Sequence, residues 1–287
     1  MGQRELSIAG ADGVALSGEE SGNGPAIVLL HGLTATRRYV VMGSRALQRS
    51  GYRVIAYDAR GHGRSAPASG PRAYTYEHLA ADLAAVLDAT GVKSPLLAGV
   101  SMGSHTAVRF ALEHPERVAA LALITPAFDP TLPRGDVDLS RWDALARGLR
   151  EGGVEGFVAA YDLGRLPESL RTTVGTVLRQ RMAAHEHLDA VADALEGVPR
   201  SRPFEQLEQL ATIAVPTAVV ASRDEADPLH PLVVGRRYAQ AIPGAELHVE
   251  DGGRSPLAWQ GGQISRVIAQ LAARAGHAAA AAVADNT

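Results

Sequence analysis

The chain of 287 residues contains no cysteine, which excludes disulfide frameworks, thiol nucleophiles and Cys-ligated zinc or iron–sulfur sites together. It has no excess of one charge either. Lys and Arg number 28 against 31 Asp and Glu, a formal net charge of −3 without a long run of one sign, so the electrostatic footprint of a nucleic-acid binder is missing. No apolar stretch approaches the about 20 residues that cross a bilayer. The Ala-rich end, 278–284, is too short and too weakly apolar, and the segment 278–287 reads as a helix fraying into disorder. The N-terminus, MGQRELSIAGADG, is polar where a secretory signal needs an apolar core, and Leu6 breaks the myristoylation pattern that Gly2 would open. The expectation is a cytoplasmic protein with a small-molecule partner, no nucleic acid and no membrane, its oligomeric state open and a homodimer among the options.

What the chain does have is enough apolar residues, 46% of the total, to bury a large core. Short β-rich runs bounded by turn residues recur at 26–30, 53–57, 95–100, 119–124, 217–221 and 246–249. Amphipathic helical patterns separate most of them, the clearest at 76–89, where Leu79, Leu83, Val86 and Leu87 recur at helical spacing and Gly91 supplies a stop. Strand, helix, strand predicts an α/β fold with a mostly parallel sheet covered on both faces. Residues 5–20 read as a leading hairpin turning at Asp12-Gly13. The alternation stops near Phe128 and resumes near Ala214, and the stretch between carries helical patterns at 142–149 and 178–195, with Pro130, Pro133, Pro199 and Pro203 at its junctions. The expected organisation is a core of 1–127 and 214–277 with a helical cap inserted at 128–213.

The run at 95–100 leads into Gly99-Val100-Ser101-Met102-Gly103, and a helical pattern follows at 105–114. This is G-x-S-x-G between a strand and a helix, the setting in which a sharp turn exposes a serine hydroxyl as a nucleophile. Larger residues at the two glycines would collide with the neighbouring strand and helix. The start of the following helix aims unpaired N–H groups at any oxyanion formed there, with Met102 N–H the natural first donor. Two further segments close the earlier runs: Leu29-Leu30-His31-Gly32-Leu33, and Asp58-Ala59-Arg60-Gly61-His62-Gly63-Arg64-Ser65.

With these three segments the chain resembles the α/β-hydrolase superfamily, in particular its capped esterases, C–C bond hydrolases and cofactor-free haloperoxidases. The resemblance implies the α/β-hydrolase fold, a second oxyanion donor from Leu33 N–H, a substrate-side place for His31 in the same loop, and a structural role for the Asp58–Ser65 loop that leaves His62 out of catalysis. It implies a catalytic acid at Asp227, before Pro228, with Asp129 a distant alternative. No cofactor or metal is implied.

The pattern breaks at the base. Where the resemblance calls for Gly-His, the chain reads Gly253-Arg254, and an arginine with a pKa above about 12 cannot accept the serine proton. Loss of the base from an assembled serine triad costs about 10⁶ in turnover. Of the ten histidines, His78, His114, His248 and His277 read as helix, surface or tail residues and His105 as packing. His185 and His187 flank Glu186 without zinc-site spacing, which suggests a helix face or a substrate contact. His230, three residues after Asp227 in a rim loop, is the candidate replacement base, with Arg254 holding Asp227 or binding substrate. The reading is a serine hydrolase acting on an ester, thioester or related acyl compound. Its alternatives are a C–C lyase or isomerase of the same fold, or a ligand-binding pseudoenzyme.

Overall fold

The computed structural model describes residues 2–132, 136–223, 230–250 and 259–277. Asp227, Arg254 and the 278–287 tail therefore lie outside the described residues.

Eight strands form one sheet: β1 (Arg4–Ala9), β2 (Ala15–Ser21), β3 (Ala26–Leu30), β4 (Arg53–Tyr57), β5 (Leu96–Val100), β6 (Ala120–Ile124), β7 (Thr217–Ala221) and β8 (Glu246–Val249). Their order is β1-β2-β4-β3-β5-β6-β7-β8. The leading hairpin pairs antiparallel, with Arg4 opposite Glu20 and Ala9 opposite Ala15, and β2 is antiparallel to β4. Every later pairing is parallel. The hairpin turns where Gly13 takes φ 84°.

The helices are α1 (Ala46–Arg49), α2 (Tyr76–Thr90), α3 (Met102–Glu113), α4 (Asp136–Ala160), α5 (Glu168–Met182), α6 (Leu188–Gly197), α7 (Leu232–Ala241) and α8 (Gly261–Arg274). Thr75 caps α2 by accepting from His78 N–H, and Gly91, in the left-handed region at φ 66°, ends it. Because successive side chains of a strand point to opposite faces, β3 feeds two cores. Val28 and Leu30 join Ile55, Leu97, Leu123 and Val219 beneath α2, α3 and α7. Ile27 and Leu29 join Val54, Leu96, Ala122 and Val220 beneath α1 and α8. Both faces of the central strands β3 to β7 are covered, which is why those strands are almost wholly apolar, whereas β1 and β2 carry polar residues.

A third cluster sits at the carboxyl edge of the sheet, where α4, α5 and α6 contribute Leu145, Leu149, Phe157, Leu178, Met182, Val191 and Leu195 against Leu33, Ala59, Leu79 and Met102. Phe157 is fully buried there, so it belongs to packing, while Trp142 and Tyr161 are only partly covered. The continuous helical pattern expected at 178–195 is broken in the structure: α5 stops at Met182 and α6 starts at Leu188. The break turns His185 inward, where a continuous helix would have had to place it by periodicity alone. Among the described residues no helix is long and apolar enough to cross a membrane.

Candidate active site

All parallel strands run the same way, so the segments leaving β3, β4, β5, β6, β7 and β8 gather on one edge of the sheet. Ser101 leaves the central β5 with φ 50° and ψ −110°, a conformation that a residue bearing a Cβ rarely adopts. The strain is held by hydrogen bonds on both sides. Ser101 N–H donates to Ile124 O at 2.9 Å, His105 N–H donates to Ser101 O at 3.1 Å, and the Ser104 hydroxyl lies 2.6 Å from Gly99 O and 2.9 Å from Ile124 O. The flanking glycines are required by backbone contact. A Cβ on Gly99 would stand 2.2 Å from Gly103 O, and one on Gly103 would stand 2.2 Å from Leu30 O.

The His31-Gly32-Leu33 segment runs beside the serine: a Cβ on Gly32 would lie 3.6 Å from Ser101 Cβ. Met102 opens α3, so its N–H is among the first-turn donors that a helix leaves without an internal acceptor. Met102 and Leu33 side chains are both buried in the edge cluster, which keeps the two backbone segments together.

His31 does not face the substrate side as expected. It is buried, its Nδ1 donates to Gly32 O at 2.8 Å, and its Nε2 accepts from Ala59 N–H at 2.9 Å. Both nitrogens are thus engaged with backbone, and neither is left for a ligand. Burial, followed by repulsion from His62, pushes its pKa down to about 4, which agrees with a neutral ring that accepts at one nitrogen and donates at the other.

His62 occupies the loop after β4, also buried, with Nε2 2.6 Å from Leu33 O and Nδ1 2.9 Å from Arg60 O. Both partners are carbonyl oxygens, and a neutral ring donates to one of them at a time. Burial lowers its pKa against the opposing pull of those carbonyls and of the Asp58 carboxylate. His185 lies against it from the break between α5 and α6, with ring centroids 5.1 Å apart for His31 and His62 and 5.5 Å apart for His62 and His185. Gly63 N–H donates to His185 Nδ1 at 2.9 Å, and its pKa is pushed down to about 2 by burial, then by His62 and His31.

The neighbouring loop residues are committed to the scaffold. Asp58 accepts from Arg37 N–H at 2.8 Å and from Arg64 N–H at 3.2 Å, and pairs with the Arg37 guanidinium. Arg60, fully buried, reaches Asp82 through Nε at 2.8 Å and Nη2 at 2.7 Å, and also Asp12 through Nη1 at 2.8 Å. Burial works against its charge, but the hydrogen bonds to Asp82 and Asp12 outweigh it and raise its pKa. The desolvation falls on Asp82, whose pKa burial lifts.

His105 is occupied as packing requires. Its Nε2 accepts from Ala127 and Phe128 N–H at 3.0 and 3.1 Å, and its Nδ1 meets the Tyr76 hydroxyl at 2.9 Å. Asp129, the alternative acid, accepts from Thr131 N–H and Oγ1 and from Arg237 Nη1 at 2.8, 2.7 and 2.8 Å. Burial lifts its pKa, yet those bonds outweigh it and hold the carboxyl below its ordinary value. That carboxylate is satisfied by a scaffold arginine rather than by a histidine.

His230 is half-buried on the segment between β7 and α7. Glu250, which sequence reading passed over, is buried directly after β8 and accepts from the Ser222 hydroxyl at 2.5 Å and from Arg223 N–H. Trp259 Nε1 donates to Ala221 O at 3.1 Å. These contacts tie the carboxyl ends of β7 and β8 where the expected acid and base segments begin. Nothing in the Glu250-Asp251-Gly252 text signals this, because the partner, Ser222, is 28 residues away. Among the described residues no group of three or more His, Cys, Asp or Glu side chains could hold a metal.

The family model for the alpha/beta hydrolase fold matches residues 25–260. The chain is 32% identical over 231 residues to the 2-hydroxy-6-oxononadienedioate/2-hydroxy-6-oxononatrienedioate hydrolase 2 of Pseudomonas putida, covering 78% of each protein. It is 31% identical over 204 residues to the putative carbamate hydrolase RutD of Azorhizobium caulinodans, covering 70% of this chain and 74% of that protein. In structure it is similar to a thermophilic esterase from Thermogutta terrifontis, with a TM-score of 0.77 and 26% identity, covering 95% of this chain and 99% of the esterase.

Proposed function

The chain belongs to the alpha/beta hydrolase fold family, and on that premise we propose that it is a serine hydrolase cleaving an ester, thioester or related acyl substrate through Ser101. The carrying observation is the strained elbow: Ser101 at φ 50° on the sheet edge, beside the His31-Gly32-Leu33 segment, where a Cβ added to Gly32 would lie 3.6 Å from Ser101 Cβ. In this reading the Ser101 hydroxyl attacks the acyl carbon, and Leu33 and Met102 N–H groups stabilise the oxyanion. Preorganised donors of this kind each contribute about 10²–10³ in turnover. The helical insertion serves as the cap that shapes the pocket, and His31 holds the oxyanion loop instead of touching substrate.

His230 acts as the base from the rim segment, with Asp227 as its acid partner and Arg254 pairing Asp227 or binding a substrate anion. The substrate is a small molecule. Similarity to the Pseudomonas putida hydrolase favours a second reading in which the same serine and oxyanion hole serve C–C bond cleavage.

A fluorophosphonate probe tests the nucleophile. Wild-type protein is expected to label at Ser101, seen by mass spectrometry of the modified peptide, while Ser101→Ala does not label; an unlabelled wild type would overturn the reading. In the same assay His230→Ala is expected to label at least about 10²-fold more slowly, and an undiminished rate would remove His230 as base. If Arg254 is part of a rebuilt site, Arg254→His lowers hydrolysis of a p-nitrophenyl ester; a rise would instead identify a decayed triad.

A further inference from the structure

Three imidazoles from three separate segments form one buried chain, His31 after β3, His62 after β4 and His185 between α5 and α6. The two outer members meet the backbone on either side of the middle one. His62 Nε2 meets Leu33 O at 2.6 Å, so the peptide that follows the oxyanion residue is fixed by the 58–63 loop. That loop is fixed in turn by the helical insertion: Gly63 N–H donates to His185 Nδ1, and Glu186 N–H donates back to Gly63 O, both at 2.9 Å.

Gly63 cannot supply this restraint with a side chain of its own. Its φ is +52°, and a Cβ there would lie 2.2 Å from Asp58 Oδ2. Its buried N–H needs an acceptor, and leaving it without one costs about 1–3 kcal/mol, so seating or unseating His185 changes the energy of the loop directly. His185 Nε2 is buried without a hydrogen-bond partner, and the Thr34 carbonyl lies close enough to act on its titration. The cap residue therefore borders the oxyanion segment at two places, through His62 at Leu33 and directly at Thr34.

We propose that His185 is a positioning residue for the oxyanion loop: carried by the helical insertion, it seats the Gly63 loop and, through His62, the Leu33 peptide, so that the oxyanion donors are in place only while the insertion is docked. The proposal rests on the reading of Ser101 and Leu33 as an acyl-transfer site. Its consequence is that the insertion governs turnover as well as substrate choice. A ligand that seats the insertion thereby completes the oxyanion hole.

The test compares wild type, His185→Leu and His185→Asn in the full-length protein. Asparagine keeps an acceptor at the position of Nδ1, and leucine keeps bulk without it. Amide hydrogen exchange over 31–37 is read by mass spectrometry, alongside kcat and KM for a p-nitrophenyl ester. The leucine variant is expected to exchange the loop about 10-fold faster and to lose about 10-fold or more in kcat with KM little changed, and the asparagine variant to recover most of both. Unchanged loop exchange in His185→Leu, or an asparagine variant as impaired as leucine, would overturn the positioning role. If the wild type neither labels nor turns over ester, the acyl-transfer reading fails by itself, and the exchange rates still decide whether His185 holds the loop.

Discussion

Two buried polar clusters share the loop that leaves β4, and they solve the cost of burial in opposite ways. On the hairpin side, Arg60 keeps its charge, forked onto Asp82 with Asp12 completing the set. On the edge side, His31, His62 and His185 give theirs up, their pKa values lowered foremost by burial. The difference lies in the side chains. A guanidinium cannot shed its proton and has a planar fork that matches carboxylates, whereas an imidazole can become neutral and still donate at one nitrogen while accepting at the other. The charged cluster is suited to fastening the hairpin to α2. The neutral one is suited to holding the backbone of two loops, at Gly32, Leu33, Ala59 and Gly63, without burying a net charge.

The comparison breaks most sharply at Arg60. Arg60→Leu leaves the buried Asp82 uncompensated and is expected to lower stability by about 3–5 kcal/mol, while adding Asp82→Leu recovers most of the loss. Urea unfolding of the two variants checks this, and equal losses in both would show that the cluster acts through packing alone.

Acid separates the clusters next. A histidine whose folded pKa lies below its unfolded value of about 6.5 adds stability that is present above that value and lost as pH falls through the folded one. For His31, with a folded value of about 4, the window is pH 6.5 to 4, and the expected loss between pH 7 and 5 is about 2 kcal/mol. His62 and His185 act in the same direction, with Asp58 pulling against the shift of His62 and with His62 and His31 adding to that of His185. Urea midpoints at the two pH values measure it, and His185→Leu is expected to flatten the dependence.

The smallest effect belongs to the surface link between the same two segments. Arg64 pairs with Glu186 at 3.6 Å and Glu5 at 3.8 Å, its side chain 60% exposed, so Arg64→Ala is expected to change stability by less than about 0.5 kcal/mol. A thermal melt suffices, and a loss comparable to that of Arg60 would show that exposure does not order these contacts.

Local text carried the sheet and the elbow well. The six expected strand runs fall within one residue of β3 to β8, since buried parallel strands must be short apolar segments between turn residues. The glycines at 99 and 103 were legible because backbone clearances of 2.2 Å tolerate nothing larger. The helix after Ser101 begins at Met102 rather than at 105, because the serine itself ends the strand. His185 was hidden inside a pattern that looked like one helix over 178–195, and its fate depended on a loop 122 residues earlier. His31 sat in a motif that pointed to substrate, yet Ala59, 28 residues on, claims its second nitrogen.

The sequence by itself determined the α/β architecture, the place of the Ser101 elbow and the absence of a histidine at position 254, because periodicity, backbone clearance and the pKa of an arginine are properties of adjacent residues. Only the tertiary structure decided which histidines are neutral scaffold, that Asp129 belongs to Arg237, and that the helical insertion grips the loop after β4 through Gly63. Those outcomes depend on which polar groups meet once water is excluded, and long-range packing of the sheet edge sets that.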